Sequence, residues 1–129
     1  MNMSQNSHQK VIPLYASNGD VEVFLVFPYI YNRMGEWVGW VTPLYEVYSV
    51  LGIYVGYFSK DKRILSKRNQ LGTKIRLLPP PAPPKFRPPA HSPLAPMFYE
   101  LMFGTVDILM DEPERLHTID SGELKPDLD

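Results

Sequence analysis

The chain has 129 residues, 44% of them hydrophobic, and a formal net charge of −1 at pH 7. That length suits one domain with a modest core. It contains no cysteine, which excludes a disulfide scaffold and thiolate chemistry and fits a reducing compartment.

Residues 1–10 (MNMSQNSHQK) are polar, without the apolar stretch of a secretory leader. They read as a disordered N-terminus. No apolar run approaches the roughly 18 residues of a spanning helix. The expectation is a cytoplasmic protein without a membrane association.

Residues 11–77 carry an internal repeat. An aromatic is followed four positions later by Gly and five further on by another aromatic: Tyr15, Gly19, Phe24; then Tyr31, Gly35, Trp40; then Tyr48, Gly52, Tyr57. A degraded fourth copy starts at Leu65, with Asn69 at the Gly position. The flanking segments are short, rich in Val, Ile and aromatics, and alternate with period two, so each copy reads as a β-hairpin. Gly19, Gly35, Gly52 and Asn69 are the residues expected to close the turns, because Gly and Asn tolerate φ > 0 in a type I turn with a G1 bulge. Asn32, Ser49 and Ser66 follow the first aromatic and can hydrogen-bond the turn backbone. Pro13, Pro28 and Pro43 read as marks of the connections between hairpins.

The outgoing strands Glu36-Trp37-Val38-Gly39-Trp40 and Ile53-Tyr54-Val55-Gly56-Tyr57 match residue for residue in pattern. Strict alternation puts the strand glycine on the face of Trp37 and Tyr54, under Tyr31 and Tyr48 of the incoming strands. Val38 and Trp40, with Val55 and Tyr57, then share the opposite face. Large apolar groups on both faces imply that both are packed.

The units YNRMGEWVGW (31–40) and YSVLGIYVGY (48–57), with a looser YASNGDVEVF (15–24), resemble the 4-fold beta-flower proteins, small bacterial proteins. The resemblance covers residues 11–77 best. It implies an all-β fold of four repeated hairpins in a pseudo-fourfold arrangement, and it implies no activity. Val23 replaces the strand glycine of copy one and copy four retains neither aromatic, so imperfect symmetry is expected.

Fourteen prolines are present, nine of them between Pro79 and Pro96. Residues 78–92 read as an extended Pro-rich strap, since consecutive prolines fix φ and cannot enter a helix or a central strand. Pro80-x-x-Pro83-x-Lys85 also matches, loosely, a ligand for a Pro-recognising domain. Residues 93–129 form the C-terminal extension. There Leu94, Met97, Phe98, Leu101 and Met102 make an apolar stripe at helical spacing, with Ser92 as cap, Pro93 in the first turn and Gly104 at the end. Val106 to Leu109 read as a brief strand, and an acidic tail follows.

Charge is segregated along the chain. Residues 60–76 hold seven basic side chains against Asp61, a net of +6, whereas residues 97–129 hold nine acidic against two basic, a net of −7. The simplest expectation is that these parts attract each other, within a chain or between protomers. Nucleic-acid binding is disfavoured, because the basic stretch lacks aromatics for stacking and the acidic tail would compete.

His8, His91 and His117 lack the spacing of a metal pair, and no nucleophile elbow or phosphate loop occurs. No catalytic residue, metal ligand or cofactor is therefore assigned, and an enzyme is disfavoured. The expected function is that of a non-enzymatic scaffold or protein-interaction module, working through a protein partner or self-association, including a homo-oligomer. The binding candidates are Trp37, Trp40, Tyr54, Tyr57, Arg63, Lys67 and Arg68. Two alternatives stand beside it: carbohydrate or peptide binding on exposed aromatics, and a small hydrolase.

Overall fold

A computed structural model describes residues 10–70 and 74–120. Apart from Lys10, the segment expected to be disordered lies outside the described residues, as does the end of the acidic tail. The chain forms one eight-stranded antiparallel sheet whose strands neighbour one another in chain order. They are β1 (Ile12–Tyr15), β2 (Val21–Val26), β3 (Tyr29–Asn32), β4 (Trp37–Val41), β5 (Glu46–Ser49), β6 (Tyr54–Phe58), β7 (Ile64–Lys67) and β8 (Thr105–Asp107). A four-residue helix, α1 (Ile108–Asp111), follows β8 directly.

Five four-residue turns close in the same way. In Ala16–Gly19, Asn32–Gly35, Thr42–Tyr45, Ser49–Gly52 and Ser59–Lys62, the fourth N–H donates to the first carbonyl, and the first N–H reaches the carbonyl one residue past the turn. The fourth residue is left-handed in every case, with φ of 95° at Gly19, 82° at Gly35, 65° at Tyr45, 83° at Gly52 and 66° at Lys62. Except at Ala16, the opening side chain supports the turn: Asn32 Oδ1 accepts from the Met34 and Glu36 amides, and Ser49 Oγ from Leu51 and Ile53. Thr42 does the same for Leu44 and Glu46. Pro43 sits inside the Thr42–Tyr45 turn between β4 and β5, Pro28 follows a cis peptide between β2 and β3, and Pro13 lies within the edge strand β1.

A second irregularity recurs just past each glycine turn. Tyr15 pairs with Val21 but Leu14 with Val23; Tyr31 pairs with Trp37 but Ile30 with Gly39; Tyr48 pairs with Tyr54 but Val47 with Gly56. Glu22, Val38 and Val55 are thus the extra residues of one-residue bulges at equivalent places. A bulge reverses the alternation beyond it and bends the strand. This corrects the face assignment made from strict alternation. Trp37 and Trp40 share the aromatic face, while Gly39 sits opposite Ile30 on the aliphatic one. The space above Gly39 is filled by Leu116, whose Cδ2 would lie 2.7 Å from a β-carbon there.

The aliphatic face is the main core. Leu14, Leu25, Ile30, Val41, Val47, Val55 and Ile64 cluster with Val106, Ile108, Leu109 and Leu116 from the C-terminal extension. The opposite face carries an aromatic ladder: Tyr29 against Trp37 edge-on, Trp40 stacked on Tyr48 at 5.2 Å, and Tyr48 edge-on to Tyr54.

Two further expectations fail. Asn69 does not close a fourth turn: it lies in the 3-10 turn Arg68–Gln70, and β7 pairs instead with β8, Leu65 opposite Asp107. Likewise residues 93–104 are not helical; the helix is α1, where Asp107 caps by accepting from the Met110 amide. Pro96 interrupts the 94–102 stripe. Moreover, Tyr99 commits its N–H to Asp61 and its carbonyl to Arg63, removing both from any helical ladder.

Candidate functional site

Two regions of the surface combine built geometry with exposed groups. The first is the line of hairpin turns and the proline-rich segment that crosses it. The Leu77 N–H donates to the Gly52 carbonyl at 3.0 Å, and the Phe86 N–H donates to the Gly35 carbonyl at 3.0 Å. A β-carbon on Gly52 would overlap the Leu77 carbonyl oxygen, and one on Gly35 the Phe86 carbonyl oxygen. Each glycine therefore serves twice, by its left-handed φ and by letting a second backbone lie on it. Phe86 stacks on Tyr31 at 4.8 Å and lies 6.2 Å from Phe24. The Tyr29 hydroxyl donates to the Pro81 carbonyl and the Tyr15 hydroxyl to the Pro93 carbonyl. Lys74 lies over the Tyr54 ring and pairs with Glu46.

A signal for this was present and was missed by a reading centred on the aromatic-Gly repeat. Arg76-Leu77-Leu78-Pro79-Pro80 and Lys85-Phe86-Arg87-Pro88-Pro89 are one motif, basic–apolar–x–Pro–Pro, nine residues apart. Its apolar residues are the two that dock on turn glycines.

The second region is an open groove of about 1150 Å³ between β6–β7 and residues 99–105. Tyr57, Arg63, Lys67 and Arg68 all line it. Among these binding candidates Lys67 and Arg68 are exposed and Tyr57 is half-buried, whereas Arg63 is 3% exposed. The other candidates lie elsewhere: Trp40 and Tyr54 are buried in the aromatic ladder and Trp37 is half-buried beside them. Their indole N–H groups are satisfied internally, Trp37 Nε1 by Gly39 O and Trp40 Nε1 by Ser49 O.

Arg63 is the centre of a buried polar junction. It grips Asp61 with Nε and Nη2, donates through Nη1 to Ser17 Oγ at 2.7 Å, and donates to the Tyr99 carbonyl at 2.8 Å. Ser17 in turn bonds Asp107 through both its amide and its hydroxyl. The Tyr15 N–H reaches the Lys62 carbonyl at 2.8 Å. These bonds tie the end of β1 to the β6–β7 turn and to β8, curling the sheet. Burial pushes the Asp61 carboxyl up, but hydrogen bonds from Arg63, Ser59 and the Tyr99 amide, with the Arg63 charge, outweigh it and hold the group below the usual carboxylate range. The Phe98 ring covers the guanidinium, 4.6 Å from Cζ.

Among the described residues no ion pair joins the basic stretch 60–76 to the acidic stretch from residue 97 on; its two pairs run to Asp61 and Glu46. The stretches meet through β7 on β8 and through Arg63 and Asp61 on the Tyr99 backbone, and Ser17 links Arg63 to Asp107. Glu22, Glu36 and His117 line one smaller cleft of about 410 Å³. There Glu36 accepts from Asn32 within the turn, and no group of three metal-ligating side chains occurs among the described residues.

Three of the groove's lining side chains are exposed apolar or aromatic groups, Tyr99 at 72%, Met102 at 79% and Phe103 fully so, and earlier in the same segment Leu94 is 94% and Met97 92% exposed. No helix of the described residues is long and apolar enough to cross a membrane. No protein-family model matches the chain, and no curated protein or solved structure does either.

Proposed function

We propose that this chain is a non-enzymatic protein-interaction module that presents residues 94–103 to a protein partner or to a second copy. The observation that carries this reading is the run of exposed Leu94, Met97, Tyr99, Met102 and Phe103, beside a groove rimmed by Lys67 and Arg68. Contiguous exposed apolar side chains with a polar rim are the mark of a protein contact. Methionines add adaptability to such a surface. The basic rim suits an apolar partner segment flanked by acidic residues. Sugar binding on the aromatic ladder draws less support, since Trp40, Tyr48 and Tyr54 are covered.

We read the architecture as a 4-fold beta-flower in which β7 and β8 form the fourth unit, opened by the excursion 68–104. Three equivalent glycine turns and three equivalent bulges support it. Within it the proline-rich segment is a strap across the turns.

Sedimentation of the full chain over a wide concentration range, alongside Met97→Ser/Phe103→Ser, tests the interaction surface. Self-association, or retention of a cross-linkable partner, is expected for the wild type and lost in the double variant at unchanged Tm. A wild type that stays monomeric and holds no partner that the variant loses would overturn it.

A further inference from the structure

We infer that the first hairpin turn, at Gly19, is an open acceptor for an extended peptide of the form basic–apolar–x–Pro–Pro carried by another protein. Its two sister turns show what such a turn binds. Gly35 and Gly52 each receive the backbone of a residue in that motif, through one N–H to the glycine carbonyl and close passage over the glycine Cα. The Gly19 turn has the same two internal hydrogen bonds and the same left-handed glycine. Yet nothing lies within 4 Å of a β-carbon built there, and no backbone donor among the described residues reaches its carbonyl.

The vacancy follows from the sequence of the strap. Nine residues separate Leu77 from Phe86, and a further nine lead to Ala95. That third register reads Leu94-Ala95-Pro96-Met97-Phe98, without the basic residue, the large apolar residue or the proline pair. The strap accordingly leaves the line of turns after Phe86. It passes on the Tyr15 side, where the Tyr15 hydroxyl holds the Pro93 carbonyl. Between it and Gly19 remains a cleft of about 580 Å³, whose lining includes the exposed Asp20, an acceptor for Asn18, and Arg33.

The occupant is assigned to another protein because both motifs of this chain already sit on its own turns. The surface is separate from residues 94–103 of the interaction reading, apart from the shared Leu94, so either proposal can fail alone.

The probe is the synthetic peptide Pro-Lys-Phe-Arg-Pro-Pro-Ala titrated into the full chain, followed by amide NMR. Saturable shifts at Gly19 and Asp20 are expected, with no loss of the Phe86–Gly35 and Leu77–Gly52 contacts. A peptide with both prolines of the pair changed to alanine should bind at least tenfold more weakly. Gly19→Asn should abolish the shifts while leaving the Tm near wild type, because Asn tolerates the left-handed conformation and the site is empty. Absence of binding, binding indifferent to Gly19→Asn, or peptide that displaces the strap from Gly35 would overturn the inference. Self-association of the free chain abolished by Gly19→Asn would overturn it in favour of a second copy.

Discussion

Phe86 and Gly35 hold each other: the Phe86 amide donates to the Gly35 carbonyl, while the Phe86 carbonyl passes over the glycine where a side chain would stand. The same relation joins Leu77 and Gly52. Turn closure and the docking of Leu77 and Phe86 thus rest on the same glycines, and they separate by substitution. Gly19→Ala should cost about 1–2 kcal/mol, the ordinary penalty of a left-handed L-residue. Gly35→Ala and Gly52→Ala should cost clearly more in urea denaturation, because they also displace the strap. Equal losses at all three positions would contradict strap docking.

The Asp61–Arg63 pair is expected to matter far more than surface ion pairs. Arg63→Met leaves the buried Asp61 carboxylate without its partner and should cost about 3–5 kcal/mol. Pairing it with Asp61→Leu should recover a large part of the loss. A double variant as unstable as Arg63→Met would assign the effect to lost packing on Phe98 instead.

The pH dependence has a fixed sign. The Asp61 pKa is lowered in the folded chain, so its contribution is complete above the unfolded carboxyl value near 4 and is lost as pH falls through the folded value. Wild-type stability should fall over that acid window. Asp61→Asn should be less stable at neutral pH and show a flatter acid slope there. Parallel slopes would contradict the assignment.

Buried phenols give a second titration. Burial raises the pKa of Tyr15, Tyr31, Tyr48 and Tyr54. In absorbance titration these four should ionise above the free-tyrosine value of about 10. A single transition at that value for all eight tyrosines would show these four rings to be open to water.

Gly39 marks where the extension meets the sheet. A methyl there would press on Leu116 and, at 2.8 Å, on the Tyr48 carbonyl oxygen, so Gly39→Ala should cost about 1–3 kcal/mol as an overpacked site. Leu116→Ala should relieve only part of it, since the Tyr48 backbone cannot move aside.

Three of the hairpins were legible in the sequence because the aromatic-Gly spacing records turn geometry directly. The bulges at Glu22, Val38 and Val55 were not, since an extra residue in a strand looks like ordinary alternation until the partner strand is known. That is why strict alternation puts Trp40 on the wrong face. Asn69 and the 94–102 stripe misled for a related reason. Both satisfy a local rule, and both are overruled by distant partners: β8 for Lys67, and Asp61 and Arg63 for Tyr99. The motif repeated nine residues apart in the proline-rich segment gains its meaning only from the glycine carbonyls that Leu77 and Phe86 reach.

Hydrogen exchange at two amides tests the central relation most directly. If the strap is seated on the turn glycines, the Leu77 and Phe86 amides should exchange far more slowly than their neighbours Ile75 and Lys85, and Gly52→Asn and Gly35→Asn should each release only the amide docked on that glycine. Exchange of Leu77 and Phe86 at the rate of a free chain would contradict it.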